Sequence, residues 1–200
     1  MQTAYIGMGG NIASEAGPPE VTLAAAVLRL EGLGRVVRKS KLYSTKPIGF
    51  ADQPRFTNAV VAIETGLAPR ALLNELLSIE QDFGRDRTKS LLNGPRTMDL
   101  DILVIGDLCM GEAGLEIPHP RLAERGFVLF PLNDIAAQMI VPGHNRTVTQ
   151  LLRDLLEHSK GESDAVVQIE SDAWSAGGCV DAGQPESGPR AEDSEPDADR

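Results

Sequence analysis

Cysteine is nearly missing from the chain: Cys109 and Cys179 are the only two in 200 residues, which excludes a disulfide framework. No stretch reaches the roughly 18 consecutive apolar residues of a membrane-crossing helix. The first residues, Met1-Gln2-Thr3-Ala4-Tyr5-Ile6, lack the basic region and apolar run of a secretion signal. A cytoplasmic protein with no membrane partner is expected. Aromatics are sparse, at 4%. An excess of basic charge is also missing, since the formal net charge is -10. Non-specific nucleic-acid binding needs a net basic face, so nucleic acid is not an expected partner. The acidity is uneven: residues 161–200 hold 11 acidic and 2 basic side chains, leaving 18 acidic and 17 basic in residues 1–160. That body is electrically balanced, and a local arginine cluster in it can still hold a small polyphosphate.

What is present suits one soluble domain with a sizeable core, given 42% hydrophobic residues. The domain is expected over 1–160. From Gly161 onward Gly, Ser, Pro, Ala, Asp and Glu dominate, Trp174 is the one large apolar residue, and an acidic, disordered tail is predicted over 161–200. Hydrophobic periodicity predicts strands at 3–8, 35–43, 56–65 and 99–105, and helices at 21–33, 69–83 and 148–156. A short helix carrying Arg121 and Arg125 at i, i+4 is expected after a polar crossing, followed by a buried turn region at 130–136. This order predicts an α+β domain with a mainly antiparallel sheet covered by helices.

The chemistry concentrates between Gly84 and Ile102. Leu100, Ile102, Leu103, Val104 and Ile105 form an apolar run typical of a buried strand, and strand alternation projects Asp99 and Asp101 from one face. Two carboxylates that close require a proton or a cation between them. Mg²⁺ is the natural cation, because it is commonly held by one or two carboxylates plus substrate phosphates. Arg85, Arg87, Lys89 and Arg96 lie nearby, and guanidinium forks match phosphate oxygens. Acid for metal beside base for phosphate points to a polyphosphate substrate. Taken alone, the Asp-x-Asp fits equally well the solvated face of an edge strand.

The stretch Gly94-Pro95-Arg96-Thr97-Met98-Asp99-Leu100-Asp101-Ile102 resembles the signature of the 6-hydroxymethyl-7,8-dihydropterin pyrophosphokinases of folate biosynthesis. Other elements fall in that family's order over residues 1 to 158. Gly9-Gly10-Asn11 is similar to its Gly-Ser-Asn, departing at Gly10. Thr45-x-Pro47-Ile48-Gly49 and Asp52-Gln53-Pro54-x-Phe56-x-Asn58 are similar to its pterin-binding segments, and Pro118-His119-Pro120-Arg121 and Arg125-x-Phe127 to later site elements.

The resemblance implies a ferredoxin-like, three-layer αβα fold, and transfer of pyrophosphate from ATP to the hydroxymethyl oxygen of the pterin with release of AMP. It implies Asp99 and Asp101 as ligands of two Mg²⁺, and Arg85, Arg96 and Asp101 as catalytic residues. Thr45, Pro47, Ile48, Phe56, Asn58 and Phe127 would bind the pterin, with Phe56 and Phe127 enclosing the ring. Glu80, Arg87, Arg96, His119, Arg121 and Arg125 would bind ATP. Leu92 and Asn93 stand where some members have Arg-Trp. ATP and the reduced pterin would be small-molecule partners of a monomer. A slack pterin- or nucleotide-binding module and a metal-dependent phosphohydrolase remain alternatives, although the hydrolase needs a water-activating base that the sequence does not offer.

Overall fold

The computed structural model describes residues 1–50, 52–87, 93–158 and 166–176. Strand β1 (Gln2–Gly10) is followed by helix α1 (Pro19–Leu30). Pro19 starts α1 where no N–H is needed, and Leu23, Ala26, Val27 and Leu30 fall on its buried side. Strands β2 (Arg35–Lys39) and β3 (Leu42–Thr45) come next, then β4 (Phe56–Thr65). Helix α2 (Pro69–Asp82) again starts on proline and buries Leu72, Leu76 and Ile79. After β5 (Asp99–Ile105) follow the hairpin strands β6 (Met110–Glu112) and β7 (Leu115–Ile117), a 3-10 turn (Leu122–Glu124) and helix α3 (Gly126–Ala136). The chain continues with β8 (Ile140–Val141), β9 (Arg146–Thr147), α4 (Val148–His158), β10 (Val166–Ile169) and α5 (Asp172–Ala176).

The main sheet has the order β10-β3-β4-β1-β5, with β2 also on β4, and its pairs are antiparallel. The α+β expectation holds. One face buries Ile6, Val61, Ile63, Leu100 and Ile102 with residues of α1 and α2; the other buries Val60, Ala62, Leu103 and Val104 with residues of α3 and α4.

Four expectations need correction. The single strand over 35–43 is broken, because Ser40 is 3% exposed and its hydroxyl accepts a hydrogen bond from Val60 N at 2.9 Å, which ends β2 before β3 begins. The buried turn at 130–136 is the body of α3. Proline argues for a turn by sequence, but Val128, Leu129, Leu132 and Ile135 share one buried face, which offsets the N–H that Pro131 lacks. Arg121 and Arg125 do not share a helix face: Arg121 precedes the 3-10 turn, and Arg125 is extended (φ -116, ψ 106) between that turn and α3.

The fourth concerns the tail. Residues 166–176 of the stretch expected to be disordered are a strand paired with β3 and a helix. Trp174 is 5% exposed, packs in the core with Ile169 at its edge, and donates from Nε1 to the Ser40 carbonyl at 2.8 Å. One large side chain with a polar handle anchors a segment whose average composition is poor.

Candidate active site

The sheet face that carries α3 and α4 is left open at one end, where the β1 register builds two rows across three strands. Gly9 lies opposite Asn58 on β4 and Asp99 on β5; Gly7 lies opposite Val60 and Asp101. With strands about 4.8 Å apart, Asn58 and Asp99 face each other across roughly 10 Å of glycine floor. The absence of side chains there is required. A Cβ on Gly9 would stand 2.8 Å from Asn58 Oδ1, and one on Gly7 would stand 3.2 Å from Leu103 Cδ2. At Gly10, where the family pattern has Ser, a Cβ would meet the Thr97 carbonyl at 2.4 Å. The departure fits a tighter approach of β1 to the loop before β5.

Above this floor is a cavity of about 290 Å³. Of the residues singled out by sequence, Thr45, Ile48, Phe56, Asn58, Arg96, Asp99, Asp101, His119, Arg121, Arg125 and Phe127 line it together. Pro47, Glu80, Arg85 and Arg87 do not.

On one side stand polar groups suited to the edge of a flat ring. Asn58 and Thr45 are buried, and Asn58 Nδ2 donates to Thr45 Oγ1 at 2.9 Å. The two phenylalanines each carry an arginine on the ring: Arg96 Cζ lies 4.9 Å from the Phe56 centroid, and Arg125 Cζ 5.4 Å from that of Phe127.

On the other side stand the carboxylates. Asp101 is pushed up to about 6, first by burial and then by the neighbouring Asp99 charge, against which Arg125 pulls it down. Asp99 is held by Arg85 Nη1, and Arg96 Nε approaches its Oδ2 at 3.2 Å without the alignment of a hydrogen bond. Arg85 Nε, Arg96 Nε and Thr97 Oγ1 are buried polar atoms lacking a hydrogen-bond partner among the described residues. Two like charges on one face beside unsatisfied cationic donors fit a divalent cation with phosphate oxygens. His119 is fixed by its own N–H, which donates to the Leu103 carbonyl at 2.8 Å, and its Nδ1 accepts from Arg121 N at 3.1 Å. Burial and then the Arg125 charge hold its pKa below the usual histidine value.

Glu80, expected at the nucleotide, is 1% exposed beneath the site. Its Oε1 accepts from Leu100 N at 2.8 Å and Arg85 Nη1 at 3.2 Å, and Arg87 donates to both its oxygens, from Nη2 to Oε1 at 2.9 Å and Oε2 at 2.7 Å and from Nε to Oε2 at 2.9 Å. Desolvation raises its pKa. A carboxylate enclosed by three partners has no face for a ligand; it holds Arg87 in place, and Arg85 beside Asp99.

Sequence reasoning missed the floor glycines and the role of Asn11. The signal was available for Gly7 and Gly9, a glycine pair at strand period. The resemblance sets Asn11 only in the neighbourhood of the pterin pocket; its Nδ2 donates to Gln53 Oε1 and to the Pro54 carbonyl, both at 3.0 Å, and its Oδ1 accepts from Arg96 N at 2.8 Å. Gln53 Nε2 in turn donates to the Asn93 carbonyl at 2.8 Å. The loop before β4 and the loop before β5 are thereby tied together. Lys89 and Leu92 lie outside the described residues.

Residues 5–137 match the family described as 7,8-dihydro-6-hydroxymethylpterin-pyrophosphokinase. The 2-amino-4-hydroxy-6-hydroxymethyldihydropteridine pyrophosphokinase of Pseudomonas aeruginosa is 42% identical over 144 residues, which are 71% of this chain and 85% of that protein. The protein of the same name from Haemophilus influenzae is 39% identical over 160 residues, 79% of this chain and 96% of its own. Among solved structures, Plasmodium falciparum HPPK-DHPS wild type with STZ-DHP superposes with a TM-score of 0.67 at 16% identity, covering 84% of this chain and 46% of that one. That likeness concerns the fold alone.

Proposed function

Since this chain belongs to the 7,8-dihydro-6-hydroxymethylpterin-pyrophosphokinase family, we propose that it transfers pyrophosphate from ATP to the hydroxymethyl oxygen of 6-hydroxymethyl-7,8-dihydropterin, releasing AMP. The row Asn58–Gly9–Asp99 carries this reading. It sets a ring-edge reader and a carboxylate on one sheet face with nothing but backbone between them. A ring on Asn58 and Thr45, between Phe56 and Phe127, would direct its hydroxymethyl arm along the glycine floor towards Asp99 and Asp101.

In the transfer the hydroxymethyl oxygen bonds to the β-phosphorus while the bond from that phosphorus to the α,β-bridging oxygen breaks, and AMP leaves with the electron pair. Positioning and charge neutralisation supply most of the catalysis in such reactions. Arg96 and Arg85 are the cations nearest the carboxylates and would balance charge on the moving group. His119, Arg121 and Arg125 would fix the phosphates and the nucleotide. Asp99 and Asp101 would hold two Mg²⁺, which when bound neutralise phosphate charge and acidify the substrate hydroxyl. No side chain stands out as general base; Asp101 is the nearest candidate for the hydroxyl proton. A ferredoxin-like αβα sandwich is part of the proposal, as is a monomer. No helix among the described residues is long and apolar enough to cross a membrane.

The test is incubation with ATP, Mg²⁺ and the reduced pterin. AMP formed in step with pterin pyrophosphate is expected. ADP or free phosphate would indicate another transfer or hydrolysis, and no product at all a binding module. Near-wild-type rates for Asp99→Ala or Asp101→Ala at saturating Mg²⁺ would end the metal assignment.

A further inference from the structure

Residues 166–176 lie beyond the 5–137 stretch that the family match covers, yet they touch two walls of the cavity. β10 pairs with all of β3, from Ile169 opposite Leu42 to Val166 opposite Thr45. Thr45 lines the cavity, and the loop bearing Lys46 and Ile48 departs from it. Val166 also meets α3: its Cγ2 lies 3.5 Å from where a Cβ on Gly126 would stand, between the cavity residues Arg125 and Phe127. The far end is anchored at the joint of β2 and β3. There Trp174 Nε1 donates to the Ser40 carbonyl at 2.8 Å, and Lys39 Nζ lies 4.7 Å from the indole centroid and donates to the Trp174 carbonyl.

We propose that residues 166–176 form a strap that sets the spacing of the pterin side of the cavity, by positioning Thr45 and Phe127, while acting far less on the phosphate side. The proposal rests on the pterin reading of the site. Without β10, β3 is a four-residue edge strand paired only through Tyr43, Ser44 and Thr45 with β4, and short edge pairing opens readily. Apart from Arg125, which adjoins Gly126 at the strap's second contact, the phosphate-side groups take their places from β5, from Asn11 and from the Leu103–His119 bond. β5 is the opposite edge of the sheet, so the effect of the strap is selective.

Full-length Val166→Gly and Trp174→Ala test this beside the wild type. Each is titrated by calorimetry with 6-hydroxymethyl-7,8-dihydropterin and, separately, with a non-hydrolysable ATP analogue and Mg²⁺. Hydrogen exchange over residues 42–50 is followed without ligand. About tenfold weaker pterin binding is expected, as for loss of roughly one hydrogen bond's ordering, with a much smaller change in nucleotide affinity and faster exchange at 42–50. Trp174→Phe, which keeps the bulk and loses the N–H to Ser40, should fall between. Equal weakening of both ligands, or of neither, overturns the strap. A wild type that binds no pterin rejects the functional reading instead, and unchanged exchange at 42–50 in Val166→Gly then overturns the strap independently.

Discussion

Asn11 and Arg96 grip each other through two hydrogen bonds: Asn11 N donates to the Arg96 carbonyl at 2.9 Å, and Arg96 N donates to Asn11 Oδ1 at 2.8 Å. The backbone of Arg96 is thus a continuation of β1, while its guanidinium leans on Phe56. The arginine has a fixed base and a movable head.

Asn11→Ala removes the acceptor for Arg96 N and both bonds to the loop before β4. Each is worth about 1 kcal/mol, and a displacement of about 1 Å at a reacting group costs up to a hundredfold in rate. Turnover is expected to fall 10- to 100-fold while the fold persists. Single-turnover rates decide, and an Asn11→Ala protein with normal rates would show that Arg96 is positioned by other contacts.

Asp101 makes the ligand-free protein pH-sensitive in a definite direction. Its carboxyl is raised from 3.8 to about 6, so the folded state binds that proton more tightly than the unfolded one. The stability it contributes is complete below about 3.8 and is lost as pH rises through about 6. Asp101→Asn should therefore stabilise the protein at pH 7 by on the order of 2 kcal/mol and hardly at pH 4. Glu80 shifts in the same direction, so the difference between variant and wild type, not the wild-type curve, isolates Asp101. Denaturant midpoints between pH 4 and 7 measure it; a constant difference across that range counts against the assignment.

The two rings should behave differently. Phe127→Ala is expected to weaken pterin binding by roughly 1 to 3 kcal/mol, the scale of stacking on an aromatic face, with a smaller loss for ATP through Arg125, which rests on that ring. Phe56→Ala should do the same and also slow the transfer, because Arg96 rests on that ring. Calorimetry with each ligand, followed by single-turnover rates, separates the cases. Parallel losses for both ligands would mark the rings as packing residues.

Glu80 discriminates support from contact. Glu80→Ala leaves Leu100 N and Arg85 short of a buried partner and should destabilise the fold by about 3 to 5 kcal/mol, whereas Glu80→Gln keeps an acceptor and should lose less. A direct nucleotide contact predicts the reverse: weaker ATP binding at unchanged melting temperature.

Legibility in the sequence followed range. Asp99 and Asp101 share a face because a strand has period two, and that period is local. Phe56, Asn58 and Thr45 were found on the resemblance, and pairing of β3 with β4 explains why they meet. Asn11 depends on which strand lies beside which and Glu80 on which strand α2 covers, and no window of residues around them carries that placement. The 166–176 segment was hidden differently. Its composition averages to a solvated tail, but Val166, Ile169 and Trp174 bind to an edge and a joint that were themselves unknown. Pro131 misled because a proline penalty of about 3 kcal/mol is local, whereas the apolar face of α3 that outweighs it is not.

The open end of the sheet above Gly7 and Gly9 has a practical consequence. Further along the same face, α3 and α4 supply the next layer of packing; over the glycines a bound ligand would supply it. Occupancy then completes the interior, and a ligand at a hundred times its Kd should add about 2.7 kcal/mol to the unfolding free energy. A melting curve alone can then rank inhibitors of this enzyme, with no turnover assay and no knowledge of which half of the cavity they fill.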